Sequence, residues 1–164
     1  MLGSSRLFSA RDRAGVSWVP TELELLLRLV AGLVAGVVIG WQRTLRHKNA
    51  GIRTFGLVGL GTAVAAMLFD EATYPGSASR VVQGVLTGIG FLGAGLIVRR
   101  QDETMPHGLT TAAAVWVTAA LGCAAGLGHW LVASAATIMV LGLLVLDHSI
   151  EHWARNHGKR PPEG

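Results

Sequence analysis

His148-Ser-Ile-Glu151-His152, near the C-terminus, has the residue types and order of the H-x-x-E-H signature. There two histidines hold a zinc ion and the glutamate works as general base. On a helix the two histidines would share one face, as a zinc pair requires. The context argues against that chemistry. The match stands where the last apolar run ends, and the only histidine beyond it, His157, adjoins Gly158 in a polar tail. A solvated amphipathic helix end is the better reading. No G-x-S-x-G or Walker sequence occurs, so the chain reads as non-enzymatic, without a catalytic residue, a metal or a cofactor. Cys123 is the sole cysteine, which excludes an intrachain disulfide and any CxxC site. It lies in an apolar run and reads as a packed thiol.

Other candidates are cations and hydroxyls at the edges of apolar runs. Arg28 and Arg80 lie near the ends of such runs, where a guanidinium is costly unless paired or snorkelling. Glu22, Glu24, Asp70 and Glu71 are near enough in sequence to pair with them, and a ligand or partner site is the alternative. Arg53 reads as a topology determinant or as lining for a polar path. Thr87, Thr111 and Thr118 lie inside apolar runs, where hydroxyls bond their own helix or a neighbour. No carboxylate falls at mid-depth of any run. A Mg²⁺ pathway needs oxygen ligands or an acidic ring, so autonomous ion transport is disfavoured, an oligomeric carbonyl-lined pore excepted.

The elements that must position these residues are membrane helices. The chain has 164 residues, 51% hydrophobic and 15% charged, with mean hydropathy +0.47, which fits an integral membrane protein. The expected fold is all-α, a polytopic helical bundle of about five transmembrane helices. The spans are expected at about 23–41, 54–69, 81–98, 108–126 and 130–146, between a polar tail at 1–21 and a cytoplasmic tail at 147–164. Small residues organise them. Gly32, Gly36 and Gly40 make a close-contact seam on the first span. On the third, Gly84, Gly88 and Gly95 fall on one face and Gly90 and Gly93 on roughly the opposite one. Two small-residue faces predict that the Arg80 span sits in the middle of the bundle.

Arg28-Leu-Val-Ala-Gly32-Leu-Val-Ala-Gly36 and Arg80-Val-Val-Gln-Gly84-Val-Leu-Thr-Gly88 share one pattern, and Gly51-Ile-Arg-Thr54 resembles Gly108-Leu-Thr-Thr111. The offsets of 52 and 57 residues allow a parallel two-helix repeat with a short loop insertion. Chance likeness between small-residue helices is the rival.

Net charge +4 and a pI near 10.2 do not point to nucleic acid, because the cations sit in short loops between spans. Placing Arg43, Arg46, Lys48, Arg53, Arg99, Arg100, Arg155, Lys159 and Arg160 inside puts nine of fourteen Lys and Arg in the cytoplasm. The expectation is N-terminus out and C-terminus in, with Trp18 and Trp130 at the outer interface, Trp41 and Trp153 at the inner one. The first twenty residues lack the apolar core of a signal peptide.

Residues 50–61 (AGIRTFGLVGLG), 88–97 (GIGFLGAGLI) and 108–122 (GLTTAAAVWVTAALG) resemble the MgtC/SapB family of bacterial inner-membrane proteins. The resemblance covers roughly residues 22–146. It implies a five-span domain with a cytoplasmic C-terminus, and a role in low-magnesium adaptation and virulence. It also implies action on a membrane partner, the F-type ATP synthase for the best-known member, rather than Mg²⁺ carriage. A transporter or channel subunit for Mg²⁺ or another small solute is the alternative. Arg53, Thr54, Arg80, Gly88, Gly90, Gly93, Gly95, Gly108, Thr110, Thr111 and Trp116 match the family pattern. Arg53, Thr54, Arg80, Thr110, Thr111 and Trp116 are the functional candidates. Gln42, Thr44, Phe55, Ser77 and Ala78 depart from it where the family commonly has acids, a histidine and Asp-Pro. The ACT-like C-terminal domain of longer members has no counterpart in these 164 residues. Expected partners are the lipid bilayer and, through the glycine seams, a second copy or another membrane protein.

Overall fold

The computed structural model describes residues 21–69, 76–97 and 107–157, with side chains as far as residue 146. The described chain is an all-α bundle of five helices, α1 (Glu22–Leu45), α2 (Ile52–Leu68), α3 (Ser77–Leu96), α4 (Leu109–Gly126) and α5 (Trp130–His157). Residues 1–20 with Trp18, the acids Asp70 and Glu71, Arg99, Arg100, and the side chains of His148, Glu151, His152 and Trp153 lie outside the described residues.

Local chemistry explains the helix ends. Thr21 caps α1, its Oγ1 accepting the Glu24 N–H at 3.2 Å, with Glu22 and Glu24 in the first turn facing the positive end of the helix dipole. The other end closes in a Schellman turn: His47 and Lys48 donate to the carbonyls of Thr44 and Arg43 at 3.0 and 3.1 Å, with His47 left-handed at φ 50°. The α4 terminus repeats this turn. There Gly128 (φ 79°) takes the left-handed position and His129 donates to Ala124 at 2.8 Å.

α1, α3 and α4 are long and apolar enough to cross a membrane. α2 and the apolar part of α5 (Trp130–Leu146) are shorter. The helices alternate in direction, because Gly40 meets Ile52, Phe69 meets Ser77, Gly108 meets Leu96 and Arg28 meets Gly126. Leu26, Val30 and Val34 of α1, Phe91 of α3, and Leu131, Ile138 and Leu143 of α5 point outward. An apolar girdle of this kind suits hydrocarbon rather than water.

The centre differs from expectation. Eleven of the eighteen residues of α4 are buried, against two of twenty in α3, Ile89 and Gly93. The central helix is α4. The Arg80 span flanks it, and packs chiefly on α4 with a minor contact to α2. The reason is chemical: α4 offers alanine, glycine and threonine to α1, α2, α3 and α5 alike, whereas α3 carries large residues between its glycines.

Three helices make the tight core. A Cβ at Gly32 would lie 2.8 Å from both the Ala63 Cβ and the Gly59 carbonyl oxygen. One at Gly36 would strike the Phe55 carbonyl, and one at Gly40 would come within 2.8 Å of the Ile52 Cα. From the other side, Gly122 and Gly126 of α4 bring their Cα atoms against Gly59, Thr62 and Ala63 of α2. Such contact lets dispersion act over whole helix faces without a hydrophobic driving force.

Candidate functional site

The end of α1 is a hub. Gln42, Arg43 and Thr44 each reach a different helix. The Gln42 amide donates from Nε2 to the Leu144 carbonyl of α5 at 3.1 Å. The Arg43 guanidinium, 3% exposed, donates from Nη2 to Thr111 Oγ1 of α4 at 2.8 Å. The Thr44 hydroxyl donates to Gly40 O at 2.9 Å and accepts the Ile52 N–H that opens α2, at 3.1 Å. Three consecutive side chains diverge around a helix by about 100° each, which is why one triplet can hold three neighbours. A buried hydrogen bond from a charged donor is worth about 1.5–3 kcal/mol, more than a neutral one.

A second polar contact closes the opposite end. Arg28 donates from Nη1 to the Gly126 carbonyl at 3.2 Å and pairs through Nη2 with Glu24 Oε1 at 2.6 Å. The guanidinium thus sits on the negative end of the α4 dipole, where a cation is favoured. Gly128 makes room, since a Cβ there would stand 2.8 Å from Nη2. This is a structural clamp.

The expected site residues do not converge. Thr111 is buried on Arg43, while Thr110 beside it is exposed. Thr54 edges an apolar cleft with Val58, Phe91, Leu92, Gly95 and Val115. Trp116 is 44% exposed and faces outward. Arg53 is exposed near the hub end of the bundle, and Arg80 is exposed at the other end, beside Gly76. Among the packing glycines, Gly32, Gly36 and Gly40 are in close contact, and a Cβ at Gly93 would stand 3.7 Å from the Ala112 Cβ. Gly108 (φ 94°) lets the start of α4 touch the Leu96 carbonyl. A methyl group at Gly84, Gly88, Gly90 or Gly95 would touch none of the described residues. Gln83, Thr87 and Phe91 are exposed along the same flank of α3 as Gly84 and Gly88.

Buried hydroxyls elsewhere bond their own helices: Thr62 Oγ1 donates to Val58 O and Thr118 Oγ1 to Ala114 O, each at 2.8 Å. Charge placement alone reads Arg43 only as a cytoplasmic cation, whereas it is buried in the bundle. Its signal was the seam itself, because Arg43 follows Gly36 by two turns and Gly40 by one and so lies on the buried face.

The sequence model of the MgtC family matches residues 29–153. The protein SrpB of Synechococcus elongatus is 42% identical over 131 residues, covering 73% of this chain and 72% of SrpB. The protein MgtC of Salmonella typhimurium is 42% identical over 116 residues, 71% of this chain and 49% of that protein, so the match spans about half its length. YhiD of Escherichia coli K12, named as a candidate magnesium transporter, is 37% identical over 139 residues, covering 77% of this chain and 62% of YhiD. No solved structure matches the chain.

Proposed function

This chain belongs to the MgtC family, and on that premise we propose that it is a non-enzymatic inner-membrane regulator. It serves magnesium homeostasis by helix-to-helix contact with another membrane protein. The observation that carries this reading is the open flank of α3. Gly84, Gly88 and Gly95 leave room for a second backbone, and Gln83 and Thr87 are exposed beside them. In hydrocarbon a small-x-x-x-small strip lets a helix come close, and an adjacent amide strengthens the contact by hydrogen bonding. The partner is a second copy or a different membrane complex. The basic α1–α2 connection, with Arg46, Lys48 and Arg53, faces the cytoplasm, so the N-terminus is outside and the C-terminus inside. The magnesium link is supported by the name of YhiD and by the family resemblance.

Affinity purification from host membranes tests the contact. Gly88→Leu is expected to lose the co-purifying membrane protein while inserting and folding normally. Gly142→Leu, at an equally open glycine on α5, is expected to keep it. Retention by Gly88→Leu sinks the assignment. Subunits of the F-type ATP synthase are the first to look for among what co-purifies. Mg²⁺ flux into proteoliposomes separates the transport reading: saturable flux lost on Arg80→Ala would replace regulation by contact.

A further inference from the structure

The α1–α2 hairpin carries a second feature that the helix contacts do not use. Leu33 and Val37 of α1 and Ile52, Arg53, Gly56 and Leu57 of α2 line an apolar furrow of about 330 Å³. Gly56 forms its floor, where a Cβ would stand 3.1 Å from Val37 Cγ2 and 3.4 Å from Leu33 Cδ1. The helices are antiparallel here, with Gly36 beside Phe55 and Gly40 beside Ile52. Arg53 therefore marks the mouth of the furrow at the hub end of the bundle, and Leu33 lies deeper toward the middle of the bilayer. The mouth is firm, because Thr44 Oγ1 holds the first N–H of α2.

The Arg53 guanidinium is exposed and has no hydrogen bond or ion pair with the described residues. The same connection carries Arg46 and Lys48, and no acidic residue stands between Glu24 and Asp70 in the sequence. A cation with five donors at the head of an apolar furrow is complementary to one ligand class in a membrane. It would meet the phosphate of an anionic lipid while the furrow takes an acyl chain. We propose that the α1–α2 furrow binds one anionic phospholipid, its phosphate on Arg53 and an acyl chain along Leu33, Val37, Gly56 and Leu57. The cleft of about 380 Å³ between α2, α3 and α4 is its natural control. That cleft is lined by Thr54, Val58, Phe91, Leu92, Gly95 and Val115 among others, with no charged side chain among the described residues. Its described lining can hold a chain but offers a headgroup no cation.

Native mass spectrometry of the full chain in neutral detergent tests this, titrated with dioleoyl phosphatidylglycerol, dioleoyl phosphatidylcholine and, separately, glycerol phosphate. The wild type is expected to prefer phosphatidylglycerol over phosphatidylcholine by about five-fold, the value of one interfacial cation. Arg53→Gln, at an exposed position that folding does not need, is expected to erase that preference. Gly56→Val is expected to weaken both lipids, and Gly95→Val to leave the preference unchanged. Three results would overturn the proposal. They are an unchanged preference in Arg53→Gln, an equal loss in Lys48→Gln (diffuse attraction to the whole connection), and glycerol phosphate competing as well as the intact lipid.

Discussion

The Arg28 segment and the Arg80 segment carry the same residue pattern and sit in different surroundings. In the first, Gly32 and Gly36 lie against the backbone of α2, and the arginine is clamped on the Gly126 carbonyl and Glu24. In the second, a Cβ at Gly84 or Gly88 would meet none of the described residues and the arginine is exposed. A glycine strip is a permission for close approach, and it becomes a contact only where a partner brings complementary backbone. For α1 that partner is inside the chain. For α3 the described residues supply α4, with a minor contact to α2, and none of them covers the Gly84 flank.

The sharpest way to break the comparison is to add bulk to both strips. Gly36→Leu must displace the Phe55 carbonyl, and overpacking of this kind costs about 1–3 kcal/mol or more. Its unfolding midpoint in mixed detergent should collapse, while that of Gly88→Leu stays near wild type. Equal losses would show that the α3 flank is already occupied within the monomer.

Next in size is the hub. Arg43→Met removes a buried charged donor from Thr111 and should cost about 1.5–3 kcal/mol. Thr111→Val should cost less, and the double variant no more than Arg43→Met alone if the two act as a pair. Additive losses would mean that Arg43 and Thr111 work separately.

The paired arginines give a smaller contrast. Arg28→Met uncaps α4 and should cost about 0.3–1 kcal/mol, within the range for a cation at a helix C-terminus. Arg80→Met should stay within about 0.5 kcal/mol, as expected of an exposed position. The smallest effect belongs to Gly84→Ala, where open space and a helical backbone predict a change below about 1 kcal/mol, in the stabilising direction. Thermal unfolding of both pairs side by side measures these differences.

Much of the architecture was legible because periodicity and hydropathy are local properties. The apolar runs, the Gly32–Gly36–Gly40 seam and the Glu24–Arg28 pair all follow from spacing along one helix. The centre of the bundle was not legible. Gly84 and Gly88 have the spacing of a contact seam, and nothing along the chain says whether another helix lies over them. Arg43 was obscured for a similar reason. Among several cations near one loop nothing local sets it apart, yet it lies on the buried face, with its partner Thr111 in a helix 68 positions away.

Sequence by itself determined that this protein is a membrane helix bundle, which family it resembles and which residues permit close packing. Each of these depends on composition or on separations of a few residues. Tertiary structure decided that α4 is central, that one glycine strip is closed and its twin open, and that Gln42, Arg43 and Thr44 tie α1 to three helices. Those outcomes turn on which faces meet across long separations. Van der Waals contact and hydrogen bonding act only at a few ångströms, so neighbours in space settle them rather than neighbours along the chain.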